Sequence, residues 1–253
     1  MESTLSADAD LAPSPDASPS LIGRAIAIYT RPTHAWGGLR ERAQWWFPML
    51  ILVVVSAVST WFLHERAIAP MVLNQMEQQV ADGQMQREQF ERMEAFFNSN
   101  TGRMISVAQQ IIIIPVIVLL TALVVWFGVG FVLGVPFRYR LALEASAWAS
   151  LITLPTQLLV FGLAWSRETM RGVHVGFGLL LPEPDTPSKL LTGLGFFLDA
   201  IGPLSIWYVI VLVIGASALS GAPRRSAAWV LGGLYLGLVL LFSALGAVFT
   251  PAA

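Results

Sequence analysis

Hydrophobic and polar positions in this chain fall into long blocks, not into the short alternations of a soluble fold. Apolar stretches stand at 45–63, 111–133, 141–164, 200–219 and 227–249, and Glu144 is the one charged residue in all of them. Each is 19 to 24 residues long. A helix rising ~1.5 Å per residue needs about 20 apolar residues to cross a ~30 Å hydrocarbon core. The pattern predicts an all-α polytopic membrane protein with five transmembrane helices. Prolines punctuate the blocks: Pro48 in the first turn of the first, Pro115 near the start of the second, and Gly202-Pro203 opening the fourth. Pro155 lies inside the third, where it removes an i→i−4 bond and kinks the helix, so the bundle is expected to be kinked.

The connections have a different period. From Met71 to Phe97, Leu73, Met76 and Val80 form one half-stripe and Phe90, Met93 and Phe97 another, on either side of Asp82-Gly83. This predicts two short amphipathic helices in the first outer loop, either packed as a hairpin or lying on the membrane. The second long connection, 165–199, holds Pro182, Pro184 and Pro187, which makes its middle irregular. Residues 1–20 are rich in Ser, Ala, Asp and Pro with no aromatic residue and read as a disordered tail. Residues 21–44 set Leu21, Ile22, Ala25, Ile26 and Ile28 among Arg24, Arg31, Arg40 and Arg42, with Trp36 before Trp45. That segment reads equally as a helix in the membrane interface and as a basic juxtamembrane flank without regular structure. The chain thus divides into a tail (1–20), a juxtamembrane segment (21–44) and a five-span membrane domain (45–250).

Composition agrees and narrows the function. The chain is 55% hydrophobic and 12% charged with a mean hydropathy of +0.66, against about 25% charged residues in a soluble domain. Fifteen basic residues against 16 acidic ones leave no surplus to neutralise phosphates, so nucleic acid is excluded as a partner. The absence of cysteine removes disulfides and thiolate metal sites. With the N-terminus inside, segments 21–44, 134–140 and 220–226 carry eight arginines in 38 residues, against seven Lys or Arg in the 82 residues of the two long loops. The expected topology is therefore N-terminus cytoplasmic and C-terminus outside.

Candidate chemistry is sparse. Glu144 follows Arg140 by four residues, a spacing that pairs them near the inner interface with both side chains reaching the headgroups. Asp199, just ahead of Gly202-Pro203, is placed to cap the fourth helix. His34, His64 and His174 lie singly outside the spans, read as solvent-facing, and show no metal-ligand spacing. Gly215-Ala216-Ser217-Ala218 loosely matches a serine-protease pattern, but no span holds a histidine to act as its base. The pairs Gly130/Gly134 and Gly233/Gly237 have the spacing that lets helices approach closely, within one chain or between copies in a homo-oligomer. No catalytic, cofactor or metal set assembles, and the chain reads as a non-enzyme.

Three stretches then carry a family resemblance: Tyr29-Thr30-Arg31-Pro32 with Trp36, Val135-Pro136-Phe137-Arg138-Tyr139-Arg140-Leu141 running on to Leu154-Pro155, and Asp199-Ala200-Ile201-Gly202-Pro203-Leu204-Ser205-Ile206-Trp207 continuing to Pro223-Arg224-Arg225. Their order and topology resemble the Yip (Ypt/Rab-interacting protein) membrane family in its bacterial branch, from about residue 24 to the C-terminus. The tyrosine usual before the mid-span proline is absent here, with Ala149 and Ser150 in that region. The resemblance implies an integral inner-membrane protein without enzymatic activity, whose residues 1–44 bind a cytosolic protein partner while the spans meet the lipid bilayer. The alternative is a small transporter, channel or lipid-moving protein.

Overall fold

The computed structural model describes residues 19–170, 172–181 and 189–249. Apart from Pro19 and Ser20, the tail expected to be disordered lies outside these, as do Pro182, Pro184 and Pro187 of the second loop. The described residues are helical with no strand, and five helices are long and apolar enough to cross a membrane. This is the all-α polytopic architecture that the blocks predict.

Helix α1 (Leu21–Thr30) starts at a Ser20 cap whose hydroxyl accepts from Gly23 N–H at 3.1 Å, and it turns through a 3₁₀ segment, Pro32–His34. The first span, α2 (Trp46–Leu63), does not stop where its apolar residues stop. A π-helical turn at His64–Ile68 carries it directly into α3 (Ala69–Ala81). Asp82 then ends α3 and Gly83 turns at φ +70°, before α4 (Arg87–Phe97) packs back against it. The two amphipathic helices of the first long loop are therefore a hairpin, with Leu73, Met76 and Val80 half-buried.

Helix α5 (Asn100–Trp126) begins eleven residues before its apolar block because Ser99 caps it, its hydroxyl accepting from Gly102 N–H at 3.1 Å. It ends in a π-helical stretch, Phe127–Val132. The third span breaks where Pro155 requires. Helix α6 (Tyr139–Ser150) gives way to a 3₁₀ turn at Leu151–Thr153, and α7 (Leu154–Arg167) restarts with Pro155 in its first turn.

The last part of the second long loop, to which the sequence reading gave no element, is regular. It contains a 12-residue helix, α8 (Lys189–Ala200), which leads through Ile201 and Gly202 into α9 (Pro203–Ser220). Helix α8 lies along the far half of α10 (Arg224–Phe249) through small residues. A Cβ on Gly193 would stand 2.9 Å from that of Ala247, and one on Gly246 would stand 2.8 Å from the Phe196 ring. Two glycines and a threonine obscured this helix in the sequence, and the neighbour across the groove explains Gly193.

Polarity is inverted relative to a soluble fold. Ile112, Phe131, Trp229 and Phe242 are each more than 60% exposed, as suits side chains facing lipid. The buried core instead joins α1 and the 35–39 segment to α5, α6 and α9 around Trp148. One end of the bundle carries the short connections 133–138 and 221–223 and is called the short-turn end. The opposite end carries the long loops.

Candidate functional site

The short-turn end is built on buried charge. Arg24, on the inner face of α1, is fully buried. Its guanidinium donates to the Ala35 carbonyl and, at 2.8 Å, to that of Gly37, and it stands 5.5 Å from the Trp148 ring centre. Burial pushes its pKa below the ordinary arginine value, while the Glu144 charge opposes that shift. The segment after α1 is thereby folded back onto α1 itself.

Glu144 is fully buried as well, so it does not reach the headgroups as expected. Arg140 does lie beside it, at 3.8 Å. Its closest partner, however, is the Gln44 backbone, whose N–H donates to Oε1 at 2.7 Å. Arg140 is held by the same segment, donating to the carbonyls of Leu39 and Arg40. Both side chains bind the polypeptide that leads into α2, and a sequence spacing between two residues of one helix does not reveal a third element lying across them.

Arg40 completes the clasp. It donates to the Leu219 and Ala218 carbonyls at 3.1 and 3.0 Å, satisfying the end of α9 and complementing its negative pole. Gly221, at φ +81°, closes that helix. Trp36 lies flat on Gly215, where any Cβ would enter its ring. Tyr29 reaches deepest, its hydroxyl donating to the Leu151 carbonyl. That is the carbonyl four residues before Pro155, which has no N–H to offer it. Burial raises the Tyr29 pKa. Residues 21–44 are thus not an irregular flank: α1 is a helix whose Arg24 and Ile28 pack into the bundle while Ile22 and Ile26 stay exposed.

The second polar locus is the interruption between α8 and α9. Asp199 belongs to α8 and does not cap α9, whose cap residue Gly202 offers no side chain. Instead its Oδ2 lies 2.7 Å from His174 Nδ1, and its other oxygen is buried without a hydrogen-bond partner beside Gly178, where a Cβ would collide with it. Residues 173–178 form a strap across the break, and a cavity of about 230 Å³ lies beneath it. His64 is buried, its Nε2 2.9 Å from the Phe97 carbonyl, because α4 and α5 fold over the end of α2. His174 and His64 are therefore both engaged, contrary to the solvent-facing expectation.

The other singled-out residues lie apart from these loci. Trp207 is half-buried against the core, and Arg224 and Arg225 are exposed at the start of α10. Gly134 sits in a left-handed turn at φ +65°, and Gly233 and Gly237 have open space where a Cβ would be. Close helix approach falls on Gly128 instead, where a Cβ would lie 2.9 Å from Leu234. Gly130 has ordinary contact distances of 3.6 Å and more. Among the described residues no three His, Asp or Glu side chains converge as a metal site.

The Yip1 domain model matches residues 26–246, a stretch that takes in most of the clasp, the cavity and all five spans. No curated protein and no solved structure matches the chain.

Proposed function

The chain belongs to the Yip1 domain family, and from that premise we propose that it is a non-enzymatic membrane protein that recruits or organises protein partners at the short-turn end. The reading takes that end as cytoplasmic, in a bacterial inner membrane, with the N-terminus inside and the C-terminus outside. One observation supports it above the others: residues 21–44 are held to α6 and α9 by Arg40, Arg140 and Glu144, while Arg24 ties the segment to itself. A partner gripping the preceding tail is then mechanically continuous with the membrane domain. Exposed Arg224 and Arg225 would present charge on the same face.

The clasp determines the experiment. Removing residues 1–44 would strip the core of Ile28, Trp36 and Leu39, so only residues 1–18 should be deleted. Cross-linking and affinity capture from native membranes should then lose partners held by the full chain. An unchanged partner set in both the 1–18 deletion and R224A/R225A would refute recruitment at this end.

A second reading, a transporter or lipid-moving protein, is favoured by the interrupted span between α8 and α9, since discontinuous helices place backbone groups at mid-depth in such proteins. Flux into liposomes containing the chain, no higher than into empty ones, would dispose of it.

A further inference from the structure

The break between α8 and α9 lies against α7 and α10. On one side the cavity is lined by Thr156 and Val160 of α7. Thr156 stands 17 residues from Tyr139 and 11 from Arg167, about 25 and 17 Å along the helix axis. On the other side Tyr235, well inside α10, donates from its hydroxyl to the Ala200 carbonyl at 2.6 Å. The cavity thus lies among helices long and apolar enough to cross a membrane, and polar groups lining such a cavity point to a ligand site.

We propose that this cavity binds an uncharged, oxygen-bearing group of the glycerol kind, presenting hydroxyl or ester oxygens. The lining chooses that chemistry. Thr156 and Ser205 contribute hydroxyls, and Leu204 and Ser205 lie in the first turn of α9, where amides have no partner within the helix. The remaining wall is apolar, including Val160 and Val173. Asp199 is the one carboxylate among the described lining residues: His174 takes one of its oxygens, and the other is buried without a hydrogen-bond partner, an acceptor that a ligand hydroxyl can fill. An anion would meet that same Asp199 with no basic side chain among the described lining residues. Size limits the ligand too: about 230 Å³ falls short of the ~300 Å³ at which pockets hold drug-sized molecules. It suits a headgroup-sized fragment, either a free polyol or the backbone of a glycerolipid whose chains stay outside. The inference concerns binding and holds whether or not the chain moves its ligand.

The test uses the full chain in phosphatidylcholine nanodiscs with a diacylglycerol bearing a photoreactive group close to its glycerol, and cross-links located by mass spectrometry. Labelling should fall on the peptides around Thr156, Val173 and Ser205. Val160→Trp, which fills the cavity, should abolish it, whereas Leu158→Trp, on the exposed side of the same helix, should leave it intact. The double variant T156A/S205A, which removes two hydrogen-bonding groups without bulk, should weaken labelling about five-fold or more, and it decides alone if V160W does not elute as a single species. Competition by free glycerol would identify a polyol site, and competition by unlabelled diacylglycerol alone a glycerolipid site; either supports the proposal. Labelling confined to lipid-facing positions, labelling unchanged in T156A/S205A, or tighter competition by phosphatidic acid than by diacylglycerol would overturn it.

Discussion

Single residues in this protein carry more than their neighbours in sequence suggest, and Arg24 is the clearest case. It is a buried cation whose hydrogen bonds go to two carbonyls of a following turn, with Glu144 as its nearest electrostatic counterweight. Removing one member of such a set leaves uncompensated buried polar groups, at a cost of about 3 kcal/mol. Arg24→Ala should therefore lower the stability of the chain by about that amount in a denaturant titration in detergent micelles. Arg24→Lys should recover only part of it, because an ammonium cannot span both carbonyls as the guanidinium fork does. Equal stability of R24K and wild type would mean that charge alone matters. Tyr29 makes a related point: it joins α1 to the Leu151 carbonyl, which lacks an i+4 donor at Pro155 and otherwise accepts from Leu154 N–H in the 3₁₀ turn. The sequence shows the proline but cannot show what answers it.

At the scale of elements, close approach is decided by pairs that are far apart in the chain. Trp36 and Gly215 are one such pair, and the indole occupies the space that any side chain at 215 would need. Gly215→Ala should displace the ring and destabilise the protein by about 2 kcal/mol, the usual cost of overpacking. It should also loosen the segment around Trp36, so that trypsin cuts after the exposed Arg40 and Arg42 faster than in the wild type. Adding Trp36→Leu should relieve part of the loss, so that the double variant is more stable than the sum of the two single changes allows. Strict additivity would show that the ring and the glycine do not meet. The helices themselves were largely readable, because apolar blocks and the Asp82-Gly83 break are local signals. Helix α8 was not, since its glycines fit a neighbouring helix and weaken the local signal.

The whole molecule is an asymmetric bundle with one end sealed by the N-terminal clasp and the other built from the α3–α4 hairpin, the strap and α8. Its orientation is testable with little interference, because the chain has no cysteine. Single cysteines at Asp82 and Arg225 should react differently with a membrane-impermeant maleimide on intact cells. D82C should be labelled at once, and R225C only after permeabilisation; the reverse order would invert the topology and move the proposed partner face outside. The sequence by itself determined that this chain is an all-helical membrane protein with about five helices long and apolar enough to cross a bilayer. Those properties follow from composition and local period, which sum over neighbouring residues. Tertiary structure alone decided that residues 21–44 pack into the bundle, that Glu144 holds a backbone amide, and that Asp199 and His174 meet beside the break between α8 and α9. Each of these depends on contacts between residues 25 to more than 100 positions apart, and in a membrane, where apolar side chains face lipid and core alike, hydrophobicity cannot say which surfaces will meet.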